Sequence, residues 1–148
     1  MENKIIVALD FNSSSSAVEF VNNLDPKLCR VKIGKELFTA AGPSLVETMI
    51  KKKFDVFLDL KFHDIPNTVA RAVQVAADLG VWMLNVHISG GSTMMKSAKD
   101  AILSHGDRKP ILIGVTVLTS ISSAELSEIG INNELKDQVV QLAKLAYQ

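Results

Sequence analysis

The chain has 148 residues, of which 47% are hydrophobic and 22% charged, a balance that excludes intrinsic disorder and predicts one globular domain. Sixteen Lys and Arg offset sixteen Asp and Glu, so no basic excess marks nucleic acid or an anionic membrane as the partner. A single cysteine, Cys29, makes no internal disulfide; with no apolar run long enough to span a bilayer and a first run closed early by Asp10, the expectation is a cytoplasmic protein.

In chain order, short runs that are apolar on both faces predict strands at Ile5–Leu9, Cys29–Ile33, Asp55–Leu60, Val81–Ile88 and Ile111–Leu118. Helical patterns lie between them. Ser13–Ser16 offers N-caps for a helix carrying Ala17, Val18, Val21 and Leu24 on one stripe. Gly42-Pro43 opens a second helix, with Leu45, Val46, Met49 and Ile50 facing inward and Lys51–Lys53 at its end. Pro66 opens a third, with Val69, Ala72, Val73 and Ala76 at helical spacing and Gly80 as its stop. Met94, Met95, Ala98, Ala101 and Ile102 predict a fourth, and Leu135, Val139, Leu142, Ala143 and Ala146 a last one.

Strands alternating with helices predict an α/β fold with a parallel sheet. The strands begin at intervals of 24, 26, 26 and 30 residues, an ordinary βα repeat length. Two architectures fit, an open doubly wound sheet and a closed barrel. No G-x-G-x-x-G follows the first strand, which weakens the dinucleotide-binding version. Eight units at this spacing need roughly 210 residues, so a barrel reading makes residues 1–148 a single barrel domain carrying its first five βα units and lacking its C-terminal strands.

Charges stand where strands should be dry. Asp10 closes the first strand, Lys32 lies within the second, and Asp59 and Lys61 lie in the third, with Asp64 in the turn beyond. A period of two puts Asp59 and Lys61 on one face and Leu58, Leu60 and Phe62 on the other. Desolvating each charge costs several kcal/mol, so a purely structural set of ion pairs explains the pattern poorly. A ligand site at the carboxyl ends of barrel strands explains it better. An ammonium flanked by carboxylates stays protonated, donates a proton at a fixed point and stabilises charge developing on carbon. Carboxylates beside it oppose an anionic substrate group and favour its loss. The array suits decarboxylation.

The segment Asp59-Leu60-Lys61-Phe62-His63-Asp64-Ile65-Pro66-Asn67-Thr68 resembles the signature of the orotidine 5'-phosphate decarboxylase family. VALD, RVKIGKELF, GVWMLNVHISGG and GVTVLTS occur in the order and spacing of the bacterial enzymes, so the resemblance runs through the chain. It implies a (β/α)8 TIM barrel that converts orotidine 5'-monophosphate to uridine 5'-monophosphate and CO2 in pyrimidine biosynthesis without a cofactor, as a homodimer with shared sites. By position, Lys61 is the implied proton donor to C6, and Asp59 faces the departing carboxylate. Lys32 pairs with Asp59 and reaches the ribose, which Asp10 also contacts. Asp64 reaches into the partner's site with Ile65 and Thr68 beside it, and Thr119 and Ser120 line the pyrimidine. The family's phosphate grip, an Arg and backbone amides from the last strands, has no counterpart in these residues, which implies an inactive stretch when taken alone.

Other readings are weaker. His63, His87 and His105 match no compact metal-ligand spacing, so no metal is expected, although related keto-sugar-phosphate lyases of the same barrel group use magnesium. A binding-only remnant is the non-enzyme alternative. Gly90-Gly91 fits a backbone anion nest and, better, a tight turn, and Cys29 reads as a buried structural thiol.

Overall fold

The computed structural model describes residues 5–147; Met1–Lys4 and Gln148, on which the readings of the two chain ends partly rest, lie outside it. Five strands form one sheet: β1 (Ile6–Ala8), β2 (Arg30–Gly34), β3 (Val56–Phe62), β4 (Met83–His87) and β5 (Ile111–Val115). All are parallel, and their spatial order is their chain order. A doubly wound sheet reverses its strand order at a switch point, whereas a (β/α) barrel does not. Crossovers of one hand between sequential parallel strands place the connecting helices on the same side of a sheet. The result is five βα units of a (β/α) barrel, as the barrel reading expected.

The helices are α1 (Ser14–Val21), α2 (Lys35–Ala41), α3 (Pro43–Lys51), α4 (Pro66–Asp78), α5 (Gly91–Leu103), α6 (Ser123–Glu128) and α7 (Leu135–Tyr147). Their starts follow local chemistry. The Ser13 hydroxyl accepts from the Ser16 N–H to cap α1. Pro43 and Pro66 stand in the first turns of α3 and α4, where a missing N–H costs nothing. A turn of 3-10 helix at Ile88–Gly90 leads into α5. Two helices were not expected from the sequence. α2 follows β2 with no breaker between them, and Gly42 at φ 65 then turns the chain into α3. α6 is opened by a capping box in which Ser122 and Glu125 satisfy each other's backbone N–H. β1, β4 and β5 are one to three residues shorter than the apolar runs at one or both ends, most clearly at β5, where pairing stops at Val115 and the run continues to Leu118, whereas β2 ends one residue and β3 two residues past the expected end.

The core lies between the sheet and its helices. Val31 and Ile33 of β2, Val56 and Leu58 of β3, and Leu84 and Val86 of β4 are buried against Val46, Met49, Val69, Val73, Met94 and Ala98. The other sheet face carries the alternate residues: Ile6, Lys32, Phe57, Asp59, Met83, Asn85, Ile111, Ile113 and Val115. Its apolar members are only partly covered, with Ile6 40% and Ile111 45% exposed. Among the described residues β1 and β5 each pair on one side only.

Two unpaired edges and a half-covered apolar face destabilise five strands on their own. At ~25 cal/mol per Å², a few hundred Å² of uncovered apolar surface forfeits several kcal/mol, a sizeable share of a domain's stability. Residues 1–148 expressed alone should therefore self-associate or melt without a sharp transition. Light scattering and a thermal melt followed by circular dichroism check this; a cooperative monomeric melt would contradict it.

Candidate active site

Asp59, near the middle of β3, is the centre of the site. Its carboxylate is buried and takes three donors. Lys61 Nζ lies 2.6 Å from Oδ1, Asn85 Nδ2 donates to the same oxygen at 2.7 Å, and Lys32 Nζ lies 3.2 Å from Oδ2. The three partners come from β2, β3 and β4, so the constellation exists only when the central strands are paired in register. Gly34 of β2 stands opposite Asp59, which places Lys32 two residues back on the same face.

Strand β3 does not run straight through this point. Its pairing with β4 shifts register between Leu58 and Phe62, and Lys61 adopts φ 52. A left-handed lysine costs on the order of 1–3 kcal/mol, which its surroundings must offset. Part of the compensation is visible: the Lys61 N–H donates to Asn85 Oδ1 at 2.7 Å. The period-two expectation correctly brought Asp59 and Lys61 together, although the kink at Lys61 lies between that expectation and the observed contact. Asn85 was missed. Its signal was a lone amide within an apolar run, on the face shared with Met83 and His87.

A cavity of about 200 Å³ opens onto this cluster, lined by Asp10, Lys32, Gly34, Lys35, Asp59 and Lys61 among others. Asp10, just past β1, is exposed on its wall. The other expected residues stand elsewhere. Asp64 is exposed in the turn after β3, and its Oδ1 accepts from the Ile65 N–H at 2.6 Å. It shares a shallow depression with His63, Ile65, Pro66, Ser89 and Gly90, and makes no ion pair with Lys32 or Lys61. Ile65 is 66% exposed, and Thr68 is exposed in the first turn of α4. Thr119 and Ser120 form an exposed turn after β5. The chain thus brings Lys32, Asp59, Lys61 and Asp10 to one cavity, while Asp64 and Ile65 line the shallow depression and Thr68 is exposed at the start of α4.

The electrostatics follow from the contacts. Burial acts to raise the Asp59 pKa, but hydrogen bonds from Lys61, Asn85 and Lys32 and the Lys61 charge outweigh it, holding the carboxyl below its ordinary value. His87 ends β4 with its ring 5.5 Å from that of His63. Burial, then the charges of His63, Lys35 and Lys61, push its pKa down, so it is neutral at pH 7. His105 pairs instead with Asp78, 2.9 Å away. Among the described residues no three His, Cys, Asp or Glu gather as metal donors. Cys29 is buried, and burial and the nearby Asp25 raise its thiol pKa, as suits a structural cysteine.

The sequence profile of the orotidine 5'-phosphate decarboxylase / HUMPS family matches residues 3–148. The chain belongs to this family. It is 58% identical over 146 residues to the orotidine 5'-phosphate decarboxylase of Actinobacillus pleuropneumoniae serotype 5b, covering 99% of this chain and 64% of that protein. It is 57% identical over 142 residues to the enzyme of that name from Neisseria meningitidis serogroup C, covering 96% of this chain and 57% of that protein. The crystal structure of the orotidine 5'-phosphate decarboxylase from Lactobacillus acidophilus superposes with a TM-score of 0.91 at 40% identity, over 98% of this chain and 67% of that one. The chain thus spans about three-fifths of the length of the curated relatives it matches.

The depressed Asp59 pKa has a consequence for this family member's stability. A carboxyl with a folded-state pKa below its unfolded value stabilises the fold above the unfolded value, and that contribution is lost as pH falls through the folded one. Asp59→Asn should remove this term, so the difference in urea midpoint between parent and variant should shrink as pH drops below the usual carboxylate range. A difference independent of pH across that window would show that Asp59 is not held ionised by its neighbours.

Proposed function

We propose that these residues form the catalytic strands of a cofactor-free orotidine 5'-monophosphate decarboxylase producing uridine 5'-monophosphate and CO2. The observation that carries the reading is the pairing of one buried carboxylate with two ammonium groups at the mouth of a parallel sheet. The relatives named above supply the substrate. In the proposed reaction the bond from C6 to the carboxylate breaks, CO2 departs, and the electron pair stays on C6. The Lys61 ammonium gives a proton to that carbon and is reprotonated from water. Asp59 keeps Lys61 charged and faces the departing carboxylate, so its negative charge opposes the substrate more than the neutral product. Lys32 neutralises the other Asp59 oxygen and, with Asp10, reaches the ribose. Thr119 and Ser120 line the pyrimidine.

Residues 1–148 act in this reading as one barrel domain of a cytoplasmic homodimer. Asp64, Ile65 and Thr68 serve the partner's site; their exposure, and their absence from the lining of the Asp59 cavity, support this reading. The phosphate grip belongs to strands beyond the fifth in the closed barrel. Decay of the orotidine absorbance, followed with and without a chelator in the natural protein at its full length, tests the activity; loss of turnover on chelation would favour a metal-dependent sugar-phosphate lyase of the same barrel group.

Lys61→Ala should lower kcat by at least ~10²-fold, because it removes the only proposed proton donor. Binding of uridine 5'-monophosphate, measured by calorimetry, should weaken far less. Retention of more than about a tenth of the parent kcat would refute the general-acid assignment. Sharing of the site across a dimer has its own check. Mixing Lys61→Ala with Asp64→Ala subunits should restore about a quarter of the sites, since half the random pairs are mixed and each mixed pair has one site with both residues intact. No recovery, with mixed dimers demonstrated by mass spectrometry, would place Asp64 in its own subunit's site or in none.

A further inference from the structure

Asn85 stands in β4 between the apolar Leu84 and Val86 and is 2% exposed. A buried amide is tolerated only when both its ends are bonded. Here each end has one partner of fixed sense. The Asp59 carboxylate can only accept, so Nδ2 must face it; the Lys61 backbone N–H can only donate, so Oδ1 must face that. One side chain therefore joins the orientation of the Asp59 carboxylate to the backbone kink that carries Lys61. Without it Asp59 Oδ1 keeps only the flexible Lys61 ammonium as a donor, and the Lys61 N–H, displaced from the strand ladder by the register shift, loses its acceptor.

We propose, resting on the decarboxylase reading above, that Asn85 is a positioning residue for the reaction: its amide fixes the Asp59 carboxylate and the Lys61 backbone together, and so sets where the Lys61 ammonium points. Serine is too short to span the two partners, leucine offers neither bond, and an ionised carboxylate offers an acceptor where a donor is required. The inference goes beyond the charge array itself, since Asn85 carries no charge and exchanges no proton.

Two variants of the natural protein at its full length test it. Asn85→Asp keeps the shape and the acceptor for Lys61 but sets a second carboxyl against Asp59. The charged and titratable groups around that pair are Lys32 from β2, Lys61 from β3 and His87 from β4, with Asp10, Lys35 and Glu36 on the cavity wall. All of them are common to parent and variant. When both carboxyls are ionised they repel, and kcat should fall by about 10²-fold, the scale of an ångström's misplacement, with KM changed far less. When the pair holds one shared proton the missing donor is restored. The ratio of variant to parent kcat should then rise as pH falls, which a merely structural role would not produce. Asn85→Leu should be slow at every pH with no such recovery. An unchanged pH profile for Asn85→Asp, or parental kcat for Asn85→Leu, overturns the proposal. If neither variant folds, a scalar coupling across the hydrogen bond from Asn85 Nδ2 to Asp59 Cγ, sought by NMR in the parent, decides in their place; its absence overturns the proposal. Failure of the reaction reading is distinguishable. A parent that leaves orotidine 5'-monophosphate untouched overturns that reading and the catalytic role built on it, whereas an active parent in which Asn85→Leu leaves the Asp59 titration unmoved overturns the positioning role alone.

Discussion

A single buried carboxylate that takes donors from three strands organises one end of this sheet. Asp59 is placed by β3, but its partners arrive from β2 and β4, so the site is a tertiary product of strand register. Burying one such charge without partners would cost several kcal/mol. With Lys32, Lys61 and Asn85 in place the carboxyl is more acidic than usual, so the neighbours more than repay its burial in favour of the charged form. The same arrangement presents two ammonium groups at the sheet's mouth.

Much of this was legible in the residues because the relevant signals are local. Apolar runs at a regular spacing gave all five strands, and prolines placed the starts of α3 and α4. The Lys and Asp residues stood out because charges are expensive where strands are dry. Less legible features depended on competition between neighbouring elements. The run Lys35–Ala41 buries only Leu37 fully, so it carries no strong helical stripe, and nothing in its sequence separates it from β2. The helix at Ser123–Glu128 was signalled by Ser122 and Glu125 three residues apart, although a six-residue helix offers little periodicity to confirm it. The apolar run past Val115 could not announce where pairing ends, because β4 stops at His87 and provides no further partner.

At the site the limit was of another kind. A period of two describes regular strand, and it served for Asp59 and Lys61 despite the left-handed backbone between the regular segments. Asn85 stood out only as a lone amide in an apolar run, because its two bonds reach β3, 24 and 26 residues away, and no spacing within β4 reveals them. Asp64 illustrates the reverse case. It sits in the same ten-residue signature as Asp59 and Lys61, yet the turn after β3 leaves it exposed and outside the Asp59 ion-pair cluster, so nearness in sequence did not bring contact.

The sequential order of the strands also bears on how the chain is assembled. Each strand pairs only with its chain neighbours, and the helix pair with the most extensive packing, α4 on α5, is likewise consecutive. Structure can therefore accumulate one βα unit at a time, with little waiting for distant segments, which suits a polypeptide emerging gradually from the ribosome. Lys32, Asp59, Lys61 and Asn85 all lie on β2, β3 and β4. The charged cluster can form once the fourth strand has docked, before β5 exists. A growing chain would then carry its costliest buried group already neutralised while its outer strands are still being made.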